Sequence, residues 1–311
     1  MKQLLASLRR IREIVIPFGQ WEMFLMRLFC SLHFYDTLPQ RVTFSTMPFP
    51  NGLARLIDFT FLADPGLWAV LRGFSIPCLI AYTLGRFSLP ALTYLIALIV
   101  SFGTLRNSQG AIGHSTQLLA LVMLAQWGMS LIDLLAKPRK AMALWKTDTE
   151  GERRMIHAAR VMMAAAYLTT AISKIDRSNG RWLMDLPNLS VQIVKTQAND
   201  YYNTLEPIEP PLAERLPDLI AEHPNLARIF FAPGLLIELF LFLGLLGRRW
   251  SAGMGLAAIG LHRSIELLMG LRFASHEVLL WIFFVNVPFW VAKGAALILK
   301  RLRPGQRVAF E

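Results

Sequence analysis

The sequence predicts an all-α fold: a polytopic transmembrane helix bundle of about eight spans, both termini cytoplasmic, with a long outer loop carrying short interfacial helices. Three observations predict it. Apolar runs of the roughly 20 residues needed to cross a bilayer recur along the whole chain; residues 89–105 hold no charge and 229–247 hold only Glu238. The chain is 54% hydrophobic and only 17% charged, against about 25% charged in an average soluble protein. Basic residues gather in alternate short connections, as the positive-inside rule requires.

The elements follow in order. At the N-terminus, Leu4, Leu5, Leu8, Ile11 and Val15 recur at helical spacing, while Arg9, Arg10, Arg12 and Glu13 break any signal-peptide core. Residues 1–16 therefore read as an amphipathic helix on the cytoplasmic surface. The spans are expected near 18–35, 67–85, 89–105, 114–134, 154–174, 229–247, 251–270 and 274–299. Pro77 and Pro288 fall inside spans, which is tolerated where neighbouring helices satisfy the freed backbone groups. An even span count puts both termini on one side. One set of loops carries Lys2, Arg9, Arg10, Arg12, Arg86, Lys137, Arg139, Lys140, Lys146, Arg153, Arg154, Arg248, Arg249, Lys300, Arg301, Arg303 and Arg307; the other is sparser, with Arg41, Arg55, Arg106 and Arg272 in its short connections. The first set is cytoplasmic.

The connection over 175–228 lies on the outer side. It is rich in Pro, Asn and Asp, yet holds Trp182, Leu186, Ile193, Tyr201 and Tyr202. Its aromatic content predicts short interfacial helices capping the bundle. No repeat or linker divides the chain, which reads as one domain over 1–311 with no large extramembrane domain. The net charge of +11 belongs to the cytoplasmic loops, and no nucleic-acid-binding motif accompanies it. Cys30 and Cys78 lie in apolar stretches and read as small buried residues. With two cysteines, no CxxC and no HExxH, no metal site is expected.

Ionisable residues inside spans are costly, so each is a functional candidate. Lys174 ends the fifth span, His114 begins the fourth, His262, Arg263 and Glu266 occupy the middle-to-outer part of the seventh, and His276 starts the eighth. All lie between mid-membrane and the outer interface, and no equivalent inner set is expected. His262 and Glu266 share a helix face, and Arg263 can pair with Glu266. Arg27, Arg72 and Glu238 sit within the first, second and sixth spans; Glu238 reads as structural glue, paired with Arg72 or Arg27. A lysine held in apolar surroundings can act as a general base, with nearby histidines carrying or stabilising charge. Such a base on one side of a membrane suits a lipophilic substrate arriving from the bilayer, such as a quinone.

The stretch "YLTTAISKIDRSNGRW", beginning at Tyr167, resembles the Tyr–small–Lys–Trp segment of the membrane domain of vitamin K-dependent γ-carboxylases, which defines the wider HTTM (horizontally transferred transmembrane) family. Tyr167, Lys174 and Trp182 fit; Ala171 stands where the family often has Gly, Ile175 replaces Leu, and the gap to Trp is longer. "IGHSTQLLALVMLAQ" is similar to the histidine-led fourth span and places His114. "LLIELFLFLGLLGRRW" resembles the acid-bearing span and places Glu238. "GLHRSIELLMGLRFASHEVLLW" resembles the histidine-bearing span and places His262 and Glu266. "LMRLFCSLHFYDTLPQR" is similar to the opening span, with Arg27 and Asp36. The resemblance implies that Lys174 is a base that deprotonates a reduced quinone of the vitamin K or menaquinol type, with His114 and His262 stabilising charge, and Tyr167, Trp182, Arg263, Glu266 and His276 contacting substrate.

Peptide glutamate carboxylation is not implied, since the carboxylases use a large extramembrane domain to bind the propeptide. The first functional reading is a quinol-dependent, carboxylase-like membrane enzyme. The second is a non-enzymatic protein that assists maturation or export of a secreted peptide, as HTTM members of sporulation-delaying toxin systems do. A small-molecule transporter ranks third, because its expected internal repeat is absent. Membrane lipids are partners in every case.

Overall fold

The computed structural model describes residues 18–110, 112–114, 116–136, 147–205 and 211–302. The amphipathic helix expected over 1–16, the basic segment 137–146 and residues after 302 lie outside them. Among the described residues the secondary structure is helical, with no strand.

Each helix starts where the sequence supplies a start signal. In α1 (Gln20–Thr37) the Glu22 carboxylate reaches back to the Gly19 N–H at 3.1 Å, half of a capping box. In α2 (Pro65–Thr83) Asp64 accepts from Leu67 N at 2.6 Å and Pro65 takes the first helical position. α3 (Ser88–Asn107) and α4 (Gln117–Ala136) are apolar throughout. α5 (Thr149–Arg177) is the longest, opened by Asp148, which accepts from Gly151 N at 2.7 Å. α6 (Trp182–Asp185), α7 (Leu189–Thr204) and α8 (Pro211–Glu222) fill the long connection, as its aromatic content predicts. α9 (Pro224–Phe240) tightens into a 3₁₀ stretch, Leu241–Leu246. α10 (Arg248–Met269) stops at Gly270, whose φ of 65° suits glycine at a helix C-terminus. α11 (Ala274–Phe283) and α12 (Val287–Leu302) form one bent element with a 48° break. Asn286, at φ 61°, makes the break, and its side-chain oxygen accepts from Phe289 N at 3.1 Å to restart the helix.

Five helices are long and apolar enough to cross a membrane (α2, α3, α4, α5, and α9 with its 3₁₀ extension), and the bent α11–α12 pair makes a sixth. α1 and α10 form where spans are expected but fall short of that standard. Glu22, Arg27 and Asp36 interrupt α1; His262, Arg263 and Glu266 interrupt α10. Several long apolar helices with outward-facing Val70, Ile80, Leu135, Ile229 and Phe230 are what an integral membrane protein presents to lipid.

Helices consecutive in sequence are neighbours from α1 to α5, and α11 and α12 return to α1, closing the bundle. α5 is central, touching α1, α4, α9 and α11. The main core runs through the bundle and includes Met23, Phe34, Trp68, Tyr82, Leu95, Val122, Met163 and Phe284. Buried polar groups find partners across helices, as the interior of a membrane protein requires: Tyr82 donates to Gln126 at 2.7 Å, and Trp68 donates to the Pro39 carbonyl at 3.0 Å. A second, smaller core of Leu186, Ile193, Ile220, Ala227, Phe231 and Met269 joins the cap helices to α9 and α10. Cys30 and Cys78 are both free thiols.

Candidate functional site

Lys174 sits near the C-terminal end of α5, where the helix has left the main core. Its ammonium donates to both carboxylate oxygens of Glu238 on α9, at 2.7 and 2.6 Å. The expected pairing of Glu238 with Arg72 or Arg27 is thereby corrected. Arg27 lies 2.9 Å from Glu152, an ion pair without hydrogen-bond geometry, and Arg72 stacks over the Tyr35 ring at 4.2 Å. The expectation of a lysine in purely apolar surroundings is corrected as well: the amine faces a carboxylate on one side and the Trp182 ring, at 5.4 Å, on another.

Beside this pair lies a cavity of about 540 Å³, lined by His114, Tyr167, Lys174, Glu238, His262 and His276, with an apolar wall that includes Leu118, Met162, Ile265 and Phe273. Helix periodicity assembles the α5 contribution: Tyr167, Thr170 and Lys174 recur at three- and four-residue spacing and fall on one face. His262 on α10 is buried and lies between two rings, Tyr167 at 5.8 Å and Phe273 at 5.0 Å, both nearly parallel to it. His276 stands edge-on to it at 5.8 Å. Tyr167 Oη and His262 Nε2 share a hydrogen bond of 3.2 Å, while His262 Nδ1 is buried without a partner. His114 is steadied by Gln117, 2.9 Å from its Nδ1. On the flank the lining residues Leu121, Ala165, Thr169 and Thr170 are exposed, so the cavity opens sideways from between α4 and α5. No family model, curated protein or solved structure matches the chain.

The chemistry must therefore be read from the geometry. A carboxylate and an amine in contact, three imidazoles and a phenol share one slot with aromatic and aliphatic walls. Such a slot can grip a flat polar head while leaving an apolar tail on the flank, and it can take up a proton at the Lys174–Glu238 pair. Trp182 lies on the far side of Lys174 and is absent from the lining. Arg263 and Glu266 are also outside it: they bond each other at 2.8 Å, Arg263 reaches Glu277 at 2.6 Å, and Arg272 approaches Glu266 at 3.4 Å, in a surface network. Among the described residues no group of three or more His, Cys, Asp or Glu is placed to hold a metal ion.

The expected one-sidedness of the buried charges does not hold. Fourteen residues before Lys174, about 21 Å along the same helix, Arg160 is fully buried. Near it, Glu22 accepts from Arg248 and from Asn286. Arg160, Glu22 and Glu277 are absent from the candidates read from sequence. Arg160 stands out only once it is seen that "RVMMAAAY" begins an apolar stretch at that residue, so that the arginine falls inside the span and not among the loop cations Arg153 and Arg154.

Proposed function

We propose that the chain is an eight-span integral membrane protein that binds a quinol-like lipophilic molecule in the cavity between α4, α5, α9, α10 and α11, with the Lys174–Glu238 pair accepting its phenolic proton. The observation that carries this reading is the convergence of Lys174, His114 and His262, from three separate parts of the chain, on one cavity with an apolar flank. Sequence reasoning made that convergence the distinguishing mark of the enzyme reading over peptide export. A volume of about 540 Å³ falls within the usual range for small-molecule pockets, about 300–1,000 Å³.

In this reading His114, His262 and His276 hold the oxygens of the head group, and Tyr167 fixes His262 through their hydrogen bond. The proton acceptor is the pair and not a lone amine, which adds Glu238 to the reactive set. α1 and α10 complete the eight spans, because their charges are answered inside the protein: Glu22 by Arg248, Arg27 by Glu152. The loop charges then place both termini in the cytoplasm and the cavity toward the outer face. Membership of the HTTM family belongs to the same proposal.

The test is quinol-dependent oxygen consumption by the full chain in nanodiscs, with reduced vitamin K and menaquinol as trial substrates. Wild type is compared with Lys174→Ala, Glu238→Gln and His262→Ala. Turnover lost in variants that remain folded supports the reading. Absence of both turnover and quinol binding in the wild type removes it and returns the chain to the peptide-maturation reading.

A further inference from the structure

We propose that the buried Arg160 guanidinium receives a single small monovalent anion, of halide size, where two broken spans meet α5. Arg160 has no exposed surface. Its Nη2 donates to the Gly244 carbonyl at 2.7 Å and to Ser251 Oγ at 2.9 Å, while Nε and Nη1 are buried with no partner. Phe18 and Phe284 flank the guanidinium at 5.7 and 5.6 Å. A void of about 40 Å³ adjoins it, bordered also by Arg248 and Asn286. That space is far too small for a quinone ring.

Charge and hydrogen-bond inventory choose the occupant. Among the described residues no carboxylate bonds Arg160; the acid of this cluster, Glu22, is engaged by Arg248 and Asn286. Two guanidiniums therefore face one carboxylate in a buried place, where an uncompensated charge is strongly destabilising. The neutral groups around the void have committed their hydrogens and oxygens. Ser251 donates to the Phe284 carbonyl at 2.7 Å, and Asn286 donates to Glu22 and accepts from Phe289 N. Arginine is a donor only. Water would accept from Nε or Nη1 but would then have to place its own hydrogens against aromatic rings or acceptors already in use. A monatomic anion needs donors alone.

The position gives the anion a structural consequence. Gly244 lies in the 3₁₀ stretch that ends α9, Ser251 begins α10, and Phe284 lies in the break between α11 and α12. Neutralising Arg160 holds all three against α5, the helix that also carries Lys174.

The full chain in nanodiscs would be heated in sodium chloride, in sodium bromide and in sodium gluconate at equal ionic strength. Both halides should raise Tm saturably over gluconate, by about 2–5 °C at ten times the dissociation constant, and Arg160→Gln should abolish the rise. A wild-type Tm indifferent to halide, or an undiminished rise in Arg160→Gln, overturns the proposal. Should Arg160→Gln fail to fold, wild-type crystals grown in bromide decide: an anomalous peak within hydrogen-bond distance of Arg160 supports the site, and its absence there removes it.

Discussion

Between Lys174 and Glu238, four-atom contact concentrates a cation and an anion at the edge of the bundle, with the lysine side chain 32% exposed and the glutamate 10%. Removing one partner leaves the other charge poorly solvated, whereas removing both leaves an apolar contact. Glu238→Leu is therefore expected to destabilise by about 1–3 kcal/mol, discounted for the exposed lysine, and the Lys174→Met/Glu238→Leu double variant by less than the sum of the two singles. Denaturant unfolding of the four proteins measures the coupling; additive losses would show that the two groups do not act together. The two residues are legible in the sequence because ionisable groups stand out in apolar runs. Their pairing is not, since spacing gives depth along α5 and α9 but not the rotation of one helix about the other. Arg160 escapes for a different reason: it follows Arg153 and Arg154 closely enough to be taken for a loop cation.

Helix positions follow the apolar runs closely, and Pro65, Asp64, Asp148 and Gly270 mark ends in the sequence itself. The breaks are harder to read. Pro288 is visible, but the turn that disposes of it rests on Asn286, and the 3₁₀ tightening over Leu241–Leu246 has no breaker at all in "LFLGLL". Close approach of elements depends on glycine at particular places. A Cβ on Gly255 of α10 would lie 2.8 Å from Phe284 Cβ and 3.0 Å from the Val285 backbone nitrogen, inside the α11–α12 break, whereas one on Gly260 meets nothing within 4 Å. Gly255→Ala should cost about 1–3 kcal/mol through overpacking. Gly260→Ala should be neutral or stabilising by up to about 1 kcal/mol through helix propensity. Thermal unfolding of the two variants separates the cases, and equal effects would mean that α10 does not seat against the break. Gly85 is constrained differently: at φ 64° its Cβ would also strike Glu152 and Arg27, so substitution there would disturb a buried ion pair.

For the molecule as a whole, the loop charges set orientation and the helices set the count. Both are tested by cysteine placed on a background in which Cys30 is buried and Cys78 is replaced by Ser. Asn179→Cys, between α5 and α6, should react with a membrane-impermeant maleimide added outside intact cells. Arg249→Cys, at the start of α10, should react only after the inner face is exposed. Labelling of both from the same side would show that α9 does not span, and would undo the eight-span arrangement. The division into a main core and a separate cap core was only partly legible. The aromatic residues of 175–228 announced helices, but their attachment to α9 and α10 depends on contacts far apart in sequence.

The sideways mouth between α4 and α5 changes what concentration means for any occupant of the cavity. A ligand that enters there is drawn from molecules already dissolved in the hydrocarbon, so occupancy follows its mole fraction among the lipids and not its molarity in the buffer. Diluting the bilayer with inert phospholipid at fixed total ligand should empty the cavity, while diluting the suspension with water should leave it filled.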